Sequence, residues 1–185
     1  MRRPIAFAAI LSLSIVAGYA AVHVPADALV AKRQAAMKEM ARAAKTIAGM
    51  FDGKLSYDAA AFKSAAETIR RQSGETLLKE FPAGSFGGAS GATAEIDKSR
   101  AEFDALASHL EKFAFALSAA ADDASEGIPE SMRMGQGTMA GGSLLGKKRA
   151  GEAESDPSRM PAEHVFHLML QDCASCHAKF REKTR

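Results

Sequence analysis

"EIDKSRAEFDALASHLEKFAFALSAAA", Glu95 to Ala121, decides the fold. Ile96, Phe103, Leu110 and Leu117 recur every seven residues, with Leu106 and Phe113 interleaved, which gives one apolar face at the helical period. The alternation with period two that a half-buried strand requires is missing. The same spacing returns on both sides. Upstream, after Pro25 and the capping candidate Asp27, one heptad position takes Val30, Met37, Ala44 and Phe51 and another Met40 and Ile47, with Asp52-Gly53 as a stop. Next, Ser56 or Asp58 caps a segment carrying Phe62, Ala66, Ile69 and Leu77, which ends at Phe81-Pro82. Downstream, a segment opening near Pro161, a favoured first helical residue, presents Val165, Met169, Cys173, Cys176 and Phe180. Four such segments predict an all-α fold, an antiparallel up-down-up-down four-helix bundle.

The ends and connections bound the domain. Met1-Arg2-Arg3 precedes an apolar run to about Val24, with small residues around Gly18-Tyr19-Ala20, so residues 1–20 read as an export signal cleaved near Ala20. The competing reading is an uncleaved membrane anchor, because a span needs roughly 20 apolar residues. Residues 21–185 then form a single domain in an oxidising compartment, expected to be the periplasm. The chain has 24 Lys+Arg against 22 Asp+Glu, and removing Arg2 and Arg3 leaves 22 of each, a balance that gives nucleic-acid binding no support. "PAGSFGGASGATA" reads as a surface loop. The connection at about 122–159 has no period and is rich in glycine, so it reads as a long inserted loop outside the core.

The fourth segment carries the chemistry. "CASCH", Cys173 to His177, holds the only two cysteines of the chain. Cys-x-x-Cys serves a dithiol redox pair, half a zinc site or, with the histidine, a covalent c-type haem. A redox pair belongs at a helix N-terminus after a strand, where the dipole lowers a thiol pKa; this pair lies well inside a helix and no strand is expected. Zinc would need His164 or His167, and nine residues of helix put His164 roughly 13 Å from Cys173. Thiols at i and i+3 project from one helix face, suited to the two vinyl groups on one porphyrin edge, and His177 can bring an imidazole to the iron. A haem-free bundle with a Cys173-Cys176 disulfide is a further alternative, strained at helical spacing.

With "KRQAAMKEM" in the first helix, "SYDAAAFKSAAETI" in the second, "FPAGS" after it and "CASCHAKFRE" near the C-terminus, the sequence resembles the class II cytochromes c, cytochrome c′ and its low-spin relatives, over about 32–121 and 163–183. Cytochrome c′ is itself a standard four-helix bundle, so family and helical pattern are not independent. The resemblance implies one haem c per chain, bonded to Cys173 and Cys176, with His177 as proximal ligand. It also implies that Arg33, on an inward heptad position, meets a haem propionate, with Gln34 beside it, and that Arg181, four residues beyond His177, lies near the proximal imidazole. Four residues after the family's arginine, low-spin members carry a methionine that ligates iron, whereas gas-binding members are five-coordinate. Here that residue is Met37. The expected function is therefore an electron carrier rather than an enzyme, passing electrons between periplasmic or membrane-bound redox proteins with His177 and Met37 on the iron. The alternative is binding of nitric oxide or carbon monoxide on a five-coordinate iron. A homodimer is compatible with the family. His23, His109, His164 and His167 are not expected to be ligands, with His109 at a core boundary. Met132, Met134 and Met139 are soft donors of the kind copper(I) takes.

Overall fold

The computed structural model describes residues 26–86, 90–124, 126–135 and 156–182. The signal reading at 1–20 and Met139 lie outside them. The helices are α1 (Ala26–Phe51), α2 (Ala59–Arg71), α3 (Gly74–Lys79), α4 (Glu95–Lys98), α5 (Arg100–Asp122) and α6 (Ala162–Phe180). Among the described residues there is no strand beyond one isolated bridge, Ala92 with Arg181, and no helix long and apolar enough to cross a membrane.

Cross-helix pairs establish the antiparallel order. Gln72 at the end of α2 donates to Glu39 of α1 at 2.8 Å, while Phe51 at the end of α1 meets Phe62 near the start of α2 edge-on at 5.5 Å. Lys63 of α2 pairs with Asp122 at the far end of α5. On the next pair of helices, Glu102 meets Lys179 and His109 meets Asp172, so α5 and α6 also run in opposite directions. The core between them contains Ile47, Phe62, Ala66, Ile69, Ala114, Leu117, Val165 and Met169, all at most 2% exposed. Burying each Leu, Ile or Phe of this set stabilises by about 1.5–3 kcal/mol.

Local chemistry sets the boundaries. Asp58 caps α2 by accepting from the Ala61 N–H at 2.6 Å, and Gly53, at φ +70°, takes the left-handed turn that ends α1. The segment expected as one helix to Phe81 is broken. The Ser73 hydroxyl donates back to the Ile69 carbonyl at 2.5 Å, and Gly74 adopts φ +54° against the Glu111 carboxylate, where a side chain would collide. Ser99 similarly separates α4 from α5.

The connection after α5 departs from the expected loop. Ala124 and Met132 are buried in the main core, and Met132 sits on a 3-10 turn, Glu130–Met132. Arg133 donates to the Phe51 carbonyl at 2.6 Å, and the Met134 N–H donates to Glu163 at 2.8 Å. An aperiodic segment therefore plugs one end of the bundle, and its apolar side chains follow no helical period. Met132 is core filler, so it is not an available copper donor. Met132→Ala should lower unfolding free energy by about 2–4 kcal/mol in urea titration; a change below about 0.5 kcal/mol is what an exposed loop would give.

Candidate functional site

The outer helices α1 and α6 meet at one end, where Phe51 and Phe166 pack at 5.8 Å between ring centroids. Away from that end they leave a cleft, in which two cavities share Met37, Ala41, Phe103, Cys176 and His177. The first, about 290 Å³, is closed by Met37, Met40, Ile69, Leu77, Leu106, Leu110 and Met169. Its polar or thiol-bearing α6 side chains are Asp172, Cys173, Cys176 and His177. The second, about 440 Å³, is bounded by Arg33, Gln34, Lys38, Phe81, Phe180 and Arg181. One half is thus apolar and the other has a cationic border.

Cys173 and Cys176 are half-buried free thiols on the α6 wall. Burial raises the Cys173 pKa, with nearby Asp172 adding to it; burial, then Cys173 and Asp172, pushes Cys176 to about 11. Thiol–disulfide exchange runs through the thiolate, which burial disfavours at both positions. Among the described residues no group of three His, Cys, Asp or Glu side chains could hold a metal ion by itself. His177 is exposed at the cleft. Desolvation by the surrounding protein, and then the Arg181 charge, hold its pKa below the ordinary imidazole value, which favours the neutral, ligating form. Two protonated thiols and a neutral imidazole lining an apolar slot of several hundred cubic ångströms fit a covalent haem in volume and in donor set.

Arg33 is inward, as its heptad position requires, and only 5% exposed. Its partners were not legible in the sequence. Nε donates to the Glu80 carbonyl at 2.5 Å, Nη1 to the Ser85 carbonyl at 2.9 Å and to Ser90 Oγ at 3.4 Å, and Nη2 to Ser85 Oγ at 2.5 Å, with the guanidinium 4.3 Å over Phe81. These bonds use most of the five N–H groups, so Arg33 here ties α1 to Glu80, Ser85 and Ser90. A propionate would have to share that fan. Arg33→Met should cost about 2–3 kcal/mol in urea unfolding of the haem-free protein. Arg33→Lys should recover little, because a single ammonium cannot make the fan; an unchanged midpoint in both variants would show that the loop contacts contribute nothing.

The remaining candidates sort by position. Met37 is half-buried and borders both cavities. Gln34 is exposed at the second cavity. Arg181 does not continue the helical face of His177: α6 ends at Phe180, and Arg181 takes extended backbone (φ −123°, ψ 128°) against Ala92. Its side chain nonetheless borders the second cavity with His177. His109 is a boundary residue, 3.3 Å from Asp172. His164 and His167 border neither cavity. The latch at Ala92 was also unread: the Thr93 N–H donates to the Phe180 carbonyl at 3.0 Å and the Glu182 N–H to the Gly91 carbonyl at 2.8 Å, pinning the end of α6.

The profile of the family described as Cytochrome C′ matches residues 28–138. That range takes in α1 to α5 and stops before the cysteines, so it is independent of the Cys-x-x-Cys-His signal. No curated protein matches the chain. Among solved structures, cytochrome c prime from Shewanella frigidimarina is 21% identical, covers 86% of this chain and 98% of its own, and superposes with a TM-score of 0.59. A mutant cytochrome c prime from Alcaligenes xylosoxidans, solved as its nitric oxide complex, is 23% identical over 85% of this chain and 97% of its own, with a TM-score of 0.58. A mutant Rhodopseudomonas palustris cytochrome c′ is 28% identical over 84% and 98%, with a TM-score of 0.53.

Proposed function

From the premise that this chain belongs to the cytochrome c′ family, class II c-type cytochromes carrying covalent haem c, we propose that it holds one haem in the α1–α6 cleft and binds nitric oxide or carbon monoxide there. The observation that carries the proposal is the wall facing α6. Met37, Met40, Ala41, Ile69, Leu77, Phe103, Leu106 and Leu110 offer no side-chain hydrogen-bond donor. When bound, haem would supply an iron able to take a small neutral ligand such as nitric oxide or carbon monoxide. Cys173 and Cys176 would tether it to α6, and a His177 nitrogen would be the protein ligand. The apolar wall excludes water and gives no stabilising donor to a polar bound gas, which selects nitric oxide and carbon monoxide over dioxygen.

This ordering reverses the expectation from sequence, which put the electron carrier first; the family and a relative solved with nitric oxide favour the gas-binding alternative. The carrier reading keeps one observation, that Met37 borders both cavities together with His177. A thioether bound to iron would raise the reduction potential and suit exchange with periplasmic or membrane-bound redox proteins. The ferric absorption spectrum separates the two. A high-spin spectrum, with carbon monoxide binding readily to the ferrous protein, is expected. A low-spin spectrum with a near-infrared sulfur-to-iron band would transfer the function to electron carriage through Met37.

A further inference from the structure

Among the described residues most cations meet a carboxylate. Lys32 meets Glu80, Lys54 meets Asp52, Lys63 meets Asp122, Arg70 meets Glu67, Lys98 meets Glu95, Arg100 meets Asp97 and Lys179 meets Glu102. Lys38, Arg42 and Lys45 depart from this pattern. All three are exposed on α1, and no ion pair or hydrogen bond joins their side chains to any described residue. At spacings of four and three residues they form one stripe roughly 10 Å long. The stripe lies beside Met37, Ala41 and Ala44, three of the residues that α1 turns to the cleft. Across the opening, Arg181 and His177 of the α6 side are exposed as well.

Among the described residues no carboxylate pairs directly with these cations. Glu39 is turned to Gln72 on the α2 side. Asp172 is paired with His109 toward α5. Asp27 lies three turns away on α1, and Glu182 follows Arg181 beyond the helix end. Lys38 and Arg181 border the second cavity, and Arg42 and Lys45 continue the stripe from Lys38 along α1, so in a chain with a net charge of only +2 these four cations set up a local positive field that selects partners and raises encounter rates.

We propose that the mouth of the α1–α6 cleft, rimmed by Lys38, Arg42, Lys45 and Arg181, is the docking surface for an acidic protein that exchanges one electron with this chain. The proposal rests on the haem reading above for the electron and on the rim alone for the docking. One electron leaves the donor and enters the acceptor, and no atom is transferred. The small residues Ala41 and Ala44 between the stripe and the cavity allow the partner's surface to approach the cleft closely, as short-range transfer requires.

Isotope-labelled holoprotein, its haem content first read from the absorption spectrum, is titrated with polyglutamate at low salt. Amide shifts should concentrate at Lys38–Lys45 and around Arg181, vanish on raising salt, and be lost in K38E/R42E/K45E. Separately, the ferrous protein is oxidised by ferricyanide and by the cation tris(phenanthroline)cobalt(III). The triple variant should slow the anionic oxidant by roughly tenfold and speed the cationic one, with the difference collapsing at high ionic strength. Shifts scattered away from the cleft, or rates that move less than about twofold for both oxidants, overturn the proposal. So does binding to phosphatidylglycerol vesicles without binding to polyglutamate, which would make the rim a membrane surface. A preparation lacking a haem spectrum refutes the function proposed above, while the polyglutamate titration still decides the surface.

Discussion

Replacing Cys173 and Cys176 together by alanine will convert a haem that stays with denatured polypeptide into one that leaves it completely on extraction into acidified organic solvent. Both sulfurs stand on the α6 wall of the same cavity, half-buried and unpaired with each other, so each single variant should keep one covalent link and only the double variant should lose both. Alanine is chosen because it adds no polar group to a half-buried site, and the bundle should stay folded at a cost of about 1 kcal/mol. His177 remains in that variant, so haem added from outside should still bind, reversibly, and should raise the melting temperature as its concentration rises. Covalent haem in the double variant would mean that the attachment lies elsewhere. Freely extracted haem from the unmutated protein, matured in a host with a working attachment system, would remove the central claim.

What the sequence made legible follows from what periodicity can carry. The seam Ile96, Phe103, Leu110 and Leu117 came out buried along its length, because a heptad pattern encodes which face turns inward. The break at Ser73 and Gly74 was hidden because Ile69 and Leu77, eight residues apart, are both buried on either side of it; a tight turn that restores the helical phase leaves the pattern unmarked. Arg33 shows the same limit. Its inward direction was written in the heptad, but its partners are mostly groups of a glycine-rich loop, and a carbonyl has no residue type. Met132 was missed for the opposite reason, since a segment without a period gives no hint of which side chain it buries. The cleft itself was invisible in α1 alone: an apolar stripe reads identically whether it faces another helix or a prosthetic group. The Cys-x-x-Cys-His motif on α6 is what distinguished them.

Met37→Ala should accelerate carbon monoxide binding to the ferrous protein by roughly tenfold or more, with the ferric spectrum high-spin before and after. Met37 comes from α1, opposite the α6 wall that presents His177, and it borders both cavities. In the gas-binding reading its side chain covers the free face of the site and must swing aside. If that face is uncovered about a tenth of the time, the observed association rate and affinity are both about tenfold below the intrinsic ones, and truncation recovers the factor. Because Met37 is half-buried, the stability cost should stay near the low end for methionine truncation, about 2 kcal/mol or less. Met50→Ala supplies the control. Met50 is 5% exposed in the main core and borders neither cavity, so its truncation should cost more stability yet leave gas binding unchanged, which separates a local gate from general loosening. The competing outcome is equally specific. Should the unmutated protein be low-spin with a near-infrared sulfur-to-iron band, and should Met37→Ala abolish that band, turn the iron high-spin and lower the reduction potential, then the thioether is a ligand and the protein is an electron carrier. An unmutated protein that is high-spin, with gas binding indifferent to Met37→Ala, would leave Met37 as packing alone, and the gate would have to be sought among Leu77, Leu106 and Leu110 on the same apolar wall.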